Sequence, residues 1–207
     1  MSELLNQAKA LAPEIVRWRR HIHENPEVSA VLPNTCAYVT EELKKMGYEP
    51  YPVGGGVVAM LDGDPNGKVI LLRGDMDALP MEEQSGEAFS SKRPGKMHAC
   101  GHDNHMAMLL GAAKILNEVK DELSGDVRLV FQPAEETAVG ALRMMEEHAL
   151  DGVDAIYGVH VWGPYDAPGI AFPAGNLMAC CHGFTIEVEG KSAHASAPHE
   201  GVDAVMV

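Results

Sequence analysis

Residues 69–77 read Val-Ile-Leu-Leu-Arg-Gly-Asp-Met-Asp, an apolar run that passes directly into charged side chains. Four consecutive apolar residues next to a turn-rich segment indicate a strand that is buried on both faces. Two further runs, 127–131 and 155–161, have the same character, and segments with helical periodicity separate the strands. Strands that alternate with helices predict an α/β domain whose sheet is mostly parallel and is flanked by helices.

The remaining patterns divide the chain into two parts. The predicted helices span 3–23, 35–46, 106–119 and 139–148, and a short strand spans 57–61. After Pro173, residues 184–188 read Phe-Thr-Ile-Glu-Val, an alternation typical of a strand with one face in water. We therefore expect one domain over 1–177 and the start of an α+β domain over 178–207. Because 201–207 has the pattern of opening helical turns, we expect the chain to be part of a longer protein.

Composition and charge restrict the possible partners. The 207 residues are 46% hydrophobic and 22% charged, with a net charge of -14. Such a surface repels nucleic-acid phosphates and anionic lipids, so neither a nucleic-acid nor a membrane partner is expected. No stretch has the ~18 apolar residues of a membrane span. The four cysteines, 36, 100, 180 and 181, lack the spacing of a small secreted protein, which favours a reducing cytoplasm.

A second informative stretch is 97–105, Met-His-Ala-Cys-Gly-His-Asp-Asn-His. It places one thiol, three imidazoles and one carboxylate just before an apolar, helix-like run. These are the groups that bind borderline divalent cations such as Zn²⁺. The alternative is a polar loop in which the cysteine is a small buried residue.

Polar residues also follow each of the best strands. In open α/β sheets, ligands bind at the carboxyl ends of the strands. The loop at 100–102 precedes a helix and can reach the same edge. The side chains that this rule brings together are Asp75, Asp77, Cys100, His102, Glu135, Glu136 and His160. We therefore predict a metal centre at this edge, although each residue taken singly is also typical of a turn or a helix cap.

Glu135 and Glu136 are expected to have separate roles. Successive residues of an extended chain point in opposite directions, so one carboxylate would bind metal while the other faces the substrate. A metal lowers the pKa of a coordinated water, and a neighbouring carboxylate can accept its proton. This is chemistry that hydrolyses an amide.

The motifs resemble those of the metal-dependent amidohydrolases that include hippurate hydrolase, N-acyl-amino-acid deacylases and indole-acetyl-amino-acid hydrolases. The resemblance extends over nearly the whole chain. It is carried, in order, by RRHIHENPE (19–27), LLRGDMDALPMEE (71–83), MHACGHDNHMAMLLGAA (97–113), FQPAEE (131–136), GVHVW (158–162) and GKSAHASAPH (190–199).

The resemblance implies a role for each candidate residue. Two divalent ions, Mn²⁺ or Zn²⁺ in the first place and Co²⁺ or Ni²⁺ as alternatives, would be held by Cys100, His102, Glu136 and His160. Glu135 would be the general base. Asp77 matches the carboxylate that orients a metal-bound histidine, and Asp75 is a second candidate for the acidic residue of that motif. His194 would stabilise the oxyanion of the tetrahedral intermediate.

The resemblance also implies a fold and an activity. Residues 1–177 would form a zinc-peptidase-like catalytic domain, and 178–207 the first segment of a lid domain through which a homodimer forms. The expected reaction is hydrolysis of the amide bond of a small N-acyl amino acid. The alternatives are a dipeptidase or carboxypeptidase of the same family and a catalytically incomplete metal-binding fragment. Members of the family are nearly twice as long, so a last histidine ligand is expected beyond Val207.

Overall fold

The computed structural model describes residues 2–166, 169–178 and 183–206, so the Cys180–Cys181 pair lies outside the described residues. The chain forms two compact units, Met1–Gly163 and Pro164–Val207. The predicted domain boundary at 177/178 stays a prediction. In the first unit the helices are α1 (Ser2–Ala10), α2 (Ala12–Glu24), α3 (Pro33–Lys45), α4 (His102–Glu118) and α5 (Gly140–Glu146), and the strands are β1 (Tyr51–Val53), β2 (Gly56–Leu61), β3 (Lys68–Asp75), β4 (Gly125–Gln132) and β5 (Ala155–Gly158).

The five strands form one sheet in the order β1-β2-β4-β3-β5. β3 pairs in parallel with both β4 and β5, whereas β2 pairs antiparallel with β1 and β4. Four strands therefore run in one direction and β2 runs in the other. The mostly parallel α/β sheet predicted from the sequence is confirmed.

Side-chain alternation along the central strands produces a core on each face of the sheet. In β4, Leu129 and Phe131 belong to the larger cluster, which packs against α2, α3 and α4, while Val130 belongs to the smaller cluster with Met144 of α5. Because both faces are covered, the strand has few positions where a polar residue would be tolerated. This explains the continuous apolar run of β4. β5 lies at the edge of the sheet, and its Ile156 and Tyr157 are exposed, so the expectation that 155–161 is buried on both faces is wrong.

The helix predicted over 3–23 is divided into α1 and α2 by Leu11. Pro13 lies in the first turn of α2, where its missing N–H is tolerated, but it cannot donate to a carbonyl one turn earlier. α1 therefore ends and α2 begins at this point. None of the described helices combines the length and the apolar composition needed to cross a bilayer.

Two element boundaries decide where candidate residues lie. α4 begins at His102, four residues earlier than predicted, so His102 and His105 lie on its first turn and a half. β5 ends at Gly158, so His160 lies in the loop beyond the strand rather than within it.

The second unit differs from the prediction. Within its described residues, 184–188 form no strand and 201–206 form no helix. The pairing found there is a single bridge between Lys191 and Val202. A strand needs a partner for its backbone groups, and the described part of this unit supplies none for 184–188.

Glu27 caps the N-terminus of α3. Its carboxylate accepts hydrogen bonds from the Thr35 backbone N–H at 2.8 Å, the Thr35 hydroxyl at 2.9 Å and the Asn34 side-chain amide at 2.7 Å. The first N–H groups of a helix have no partner within the helix, so this acceptor satisfies one of them. Burial acts to raise the pKa of Glu27, but the bonds from Thr35 and Asn34 outweigh it and hold the pKa below its ordinary value of 4.5.

Replacing Glu27 should destabilise the fold in a pH-dependent manner. We expect Glu27→Gln to lower the free energy of unfolding by about 1 kcal/mol at pH 7, as for other capping residues. The folded-state pKa is depressed, so the stabilisation is present above the ordinary value of 4.5 and is lost as the pH falls through the folded pKa. Urea unfolding across this pH range measures the difference. Glu49→Gln, at an exposed position, is the matched control. A difference that does not change with pH would contradict the capping role.

Candidate metal centre

His102 lies at the middle of the cluster of candidate ligands. It is the first residue of α4, and its side chain is fully buried. Its Nδ1 lies 2.7 Å from the backbone carbonyl oxygen of Asp77. A carbonyl can only accept a hydrogen bond, so Nδ1 carries a proton, and in the neutral ring Nε2 presents a lone pair.

Three carboxylates surround that lone pair. The oxygens nearest to His102 Nε2 belong to Asp75 at 3.6 Å, Glu136 at 3.7 Å and Glu135 at 3.8 Å. Within the part of the chain that the structure describes, Nε2 has no hydrogen-bond partner. A buried nitrogen lone pair among carboxylate oxygens fits a cation, because a buried polar atom is otherwise satisfied by a hydrogen bond.

Cys100 and His160 extend the cluster. Cys100 Sγ lies 3.5 Å from His160 Nε2, and ligand atoms of Cys100, His102 and His160 all lie within 4.8 Å of one another. His160 Nδ1 donates to the carbonyl of Val161 at 2.6 Å, which leaves Nε2 with its lone pair. Ligand-type atoms of His102 also lie within 4.8 Å of those of Glu135 and Glu136, and of those of Asp75 and His105. Sulfur, nitrogen and oxygen donors together suit Zn²⁺ and other first-row divalent ions.

The pKa values reflect this crowding of acidic groups. Burial, followed by the charge of Glu136, raises the pKa of the Cys100 thiol to about 12. Burial acts to lower the pKa of His102, but hydrogen bonding to Asp77 and the charge of Asp75 raise it overall. Burial acts to raise the pKa of Asp75, but the His105 hydrogen bond and the charge of Arg73 lower it to about 2. The site therefore favours bound positive charge.

Glu135 and Glu136 do not point in opposite directions, so that expectation is wrong. They lie in a turn and not in extended chain, because Ala134 just before them has a φ of 51°. Both carboxylates consequently approach the same nitrogen of His102. The Asp77 carboxylate fixes the turn by accepting the backbone N–H of Glu135 at 2.9 Å and that of Glu136 at 3.1 Å.

Two groups of residues near the site were not singled out from the sequence. His105 donates to Asp75 Oδ1 at 2.6 Å and accepts the backbone N–H of Val161 at 2.9 Å. Its place three residues after His102, on the same face of a helix, was the available signal. Asp103 is buried and accepts from His23 at 2.8 Å and from Arg19 at 2.6 Å, which ties the start of α4 to α2.

The structure therefore brings together the seven candidates that lie in the first unit: Asp75, Asp77, Cys100, His102, Glu135, Glu136 and His160. His194 belongs to the second unit. There its exposed Nδ1 lies 2.8 Å from the hydroxyl of Ser196.

Several known proteins with a similar sequence or fold are named as hydrolases or peptidases. The chain is 41% identical over 197 residues to an N-acyl-L-amino acid amidohydrolase of Geobacillus stearothermophilus, covering 94% of this chain and 53% of that protein. It is 44% identical to thermostable carboxypeptidase 2 of Saccharolobus solfataricus, and this match covers 100% of this chain and 54% of that protein. The structure of Bacillus subtilis YXEP, described as a dinuclear metal binding peptidase from the M20 family, superposes with a TM-score of 0.71 and a sequence identity of 43%. The superposition covers 73% of this chain and 43% of that protein.

The chain thus spans about half the length of the curated relatives it matches. The sequence model of peptidase family M20/M25/M40 matches residues 71–206, which is more than half of the chain. The resemblance drawn from the six motifs is confirmed at this level. The chain belongs to peptidase family M20/M25/M40.

Proposed function

We propose that this chain carries the metal centre of an amidohydrolase that cleaves the amide bond of N-acyl amino acids. The observation that carries the proposal is the buried Nε2 lone pair of His102, which has three carboxylates within 3.8 Å and lies in one cluster with Cys100 and His160. The proposed metal-holding residues are Cys100, His102, Glu136 and His160. The donor set is compatible with two divalent ions, with Mn²⁺ or Zn²⁺ proposed first and Co²⁺ or Ni²⁺ as alternatives.

Each residue would contribute a distinct part of the chemistry. Divalent ions in such a site polarise a carbonyl and lower the pKa of water. As a whole residue Glu136 is the more exposed, but the side chain of Glu135 is the more accessible, at 39% against 23%, which suits a base that meets the substrate. It would accept a proton from the attacking water and return it to the amine nitrogen as the C–N bond breaks. Asp77 would hold His102 and the glutamate turn in position.

The substrate class is proposed from the relatives. The amidohydrolase of G. stearothermophilus supports N-acyl amino acids. The carboxypeptidase of S. solfataricus, at a similar identity, supports a rival activity on peptides. Both reactions hydrolyse an amide beside an amino-acid carboxylate, so the same centre could serve either of them.

The remaining features are proposed from the sequence. We propose a catalytic domain over 1–177 and the first segment of a lid domain over 178–207, where His194 would stabilise the oxyanion and through which a homodimer would form. We also propose a cytoplasmic setting without nucleic-acid or membrane partners, which the net charge of -14 supports.

The proposed activity predicts metal-dependent turnover of acyl amino acids. Benzoyl-, acetyl- and indole-acetyl-amino acids should be hydrolysed by the 207-residue chain with added Mn²⁺ or Zn²⁺. Glu135→Gln should lower kcat about 10²- to 10⁴-fold, because the amide cannot accept the proton. Glu146→Gln, at an exposed position on α5, should leave the rate unchanged.

The outcomes separate the alternatives. Cleavage of dipeptides without turnover of acyl amino acids would replace the deacylase with the peptidase. Folded, metal-loaded protein that turns over neither class would refute catalysis by this chain and favour a metal-binding fragment.

Removing the charge of Asp77 should weaken the centre. In Asp77→Asn, only one side-chain oxygen remains to accept two backbone N–H groups, so the glutamate turn loses a hydrogen bond. We expect Zn²⁺ affinity to fall about 10- to 100-fold, as for other residues that orient metal ligands. Competition with a chromophoric chelator measures the affinity, with Asp121→Asn at an exposed position as control. Equal affinities for the variant and the wild type would rule out this anchoring role.

A further inference from the structure

We infer that His105 is a positioning residue that fixes the loop carrying His160 by binding the backbone of Val161. The inference deepens the proposed function and rests on it for its consequence on metal binding. It depends on three sets of contacts in the described chain, made by the two nitrogens of His105, by the Val161 backbone and by Gly101.

The hydrogen bonds of His105 define its tautomer. The backbone N–H of Val161 lies 2.9 Å from Nε2, and a backbone amide can only donate, so Nε2 must be the accepting nitrogen. Nδ1 therefore carries the proton and donates it to Asp75 Oδ1 at 2.6 Å. The other oxygen of Asp75 accepts from Arg73 at 2.7 Å. Asp75 thus selects the tautomer that can hold Val161.

The same contacts separate His105 from the metal-holding residues. His105 can be grouped with Asp75 and His102 as a set of potential ligands. Both of its ring nitrogens are already engaged, one as donor and one as acceptor, so no lone pair remains for a cation. A neutral histidine in this state can position other groups but cannot coordinate metal.

Val161 connects His105 to His160. Its N–H binds His105, while its carbonyl accepts the Nδ1 proton of His160 at 2.6 Å. The second bond directs the unprotonated Nε2 of His160 to the side of Cys100, whose Sγ is 3.5 Å away. The centroids of the imidazole rings of His105 and His160 are 4.5 Å apart. Since β5 ends at Gly158, the His160 loop lies beyond the sheet ladder and depends on contacts of this kind.

Gly101 provides an independent contact with the same residue. It precedes α4 with a φ of +90°, and a Cβ at this position would overlap Cγ2 of Val161. Glycine is therefore required both for the left-handed backbone and for the close approach. Val161 lies against the segment between Cys100 and His102, so its position links the two sides of the cluster.

Two substitutions at His105 separate its two hydrogen bonds. Gln can place Oε1 near the position of Nε2 and so accept the Val161 N–H, but it has no donor at the Nδ1 position. Asn can place its amide near Nδ1 and donate to Asp75, but it leaves Val161 without an acceptor. His148→Asn and His148→Gln are matched controls, because His148 is exposed and contacts Asp151 near the end of α5.

The first measurement is metal binding, with Co²⁺ and Zn²⁺ alone as probes. We expect His105→Asn to weaken binding about 10- to 100-fold, the range found for residues that orient ligands, and His105→Gln to recover most of the loss. Chelator competition gives the affinity, and the absorption of bound Co²⁺ reports whether the Cys100 thiolate is coordinated. Thermal unfolding of the metal-free variants shows that both are folded.

The second measurement needs no metal. In the metal-free wild type and His105→Gln, the Val161 amide proton should exchange slowly with solvent, and in His105→Asn it should exchange faster. Wild-type protein that binds neither ion would refute the proposed function, and the exchange of Val161 would still decide the role of His105. If the wild type binds metal, equal metal affinities for the Asn and Gln variants would overturn the inference, and in either case so would exchange of Val161 that does not differ between them.

Discussion

The geometry of the candidate centre depends on Asp77, because this residue holds three other groups in place. Its carbonyl accepts the proton of His102 Nδ1, and its carboxylate accepts the backbone N–H groups of Glu135 and Glu136. Asp77 follows β3 by two residues, and the parallel register that sets Asp75 beside Gln132 brings it next to the turn after β4. Sheet register therefore determines how the start of α4 and the two glutamates meet.

The sequence was sufficient where local patterns control the outcome. The strands at 69–72 and 127–131 were predicted because a strand covered on both faces is apolar at nearly every position, and the structure shows cores on both sides of β4. The rule that ligands bind at the carboxyl ends of parallel strands predicted which side chains would converge. Both inferences use only neighbouring residues and the direction of the chain.

The sequence was insufficient where an outcome depends on distant partners or on an unusual backbone. The shared direction of Glu135 and Glu136 results from a positive φ at Ala134. Few non-glycine residues adopt this conformation, so the alanine in the sequence does not predict it. The role of His105 depends on Val161, 56 positions later in the chain. The segment 184–188 has the alternation of a strand, but pattern alone cannot supply a partner.

The separation of these residues along the chain also affects how the ligand set can be assembled. Cys100 and His160 are 60 positions apart, and Asp77 is 58 positions from Glu135. In the unfolded chain, an ion could bind Cys100 and His102 together, but binding Glu136 or His160 as well would require closing a long loop at an entropic cost. A zinc finger can couple its folding to metal because its ligands lie within a short segment. Here Glu136 and His160 follow β4 and β5, so they reach Cys100 and His102 only when these strands pair with β3, and the complete ligand set forms together with the sheet.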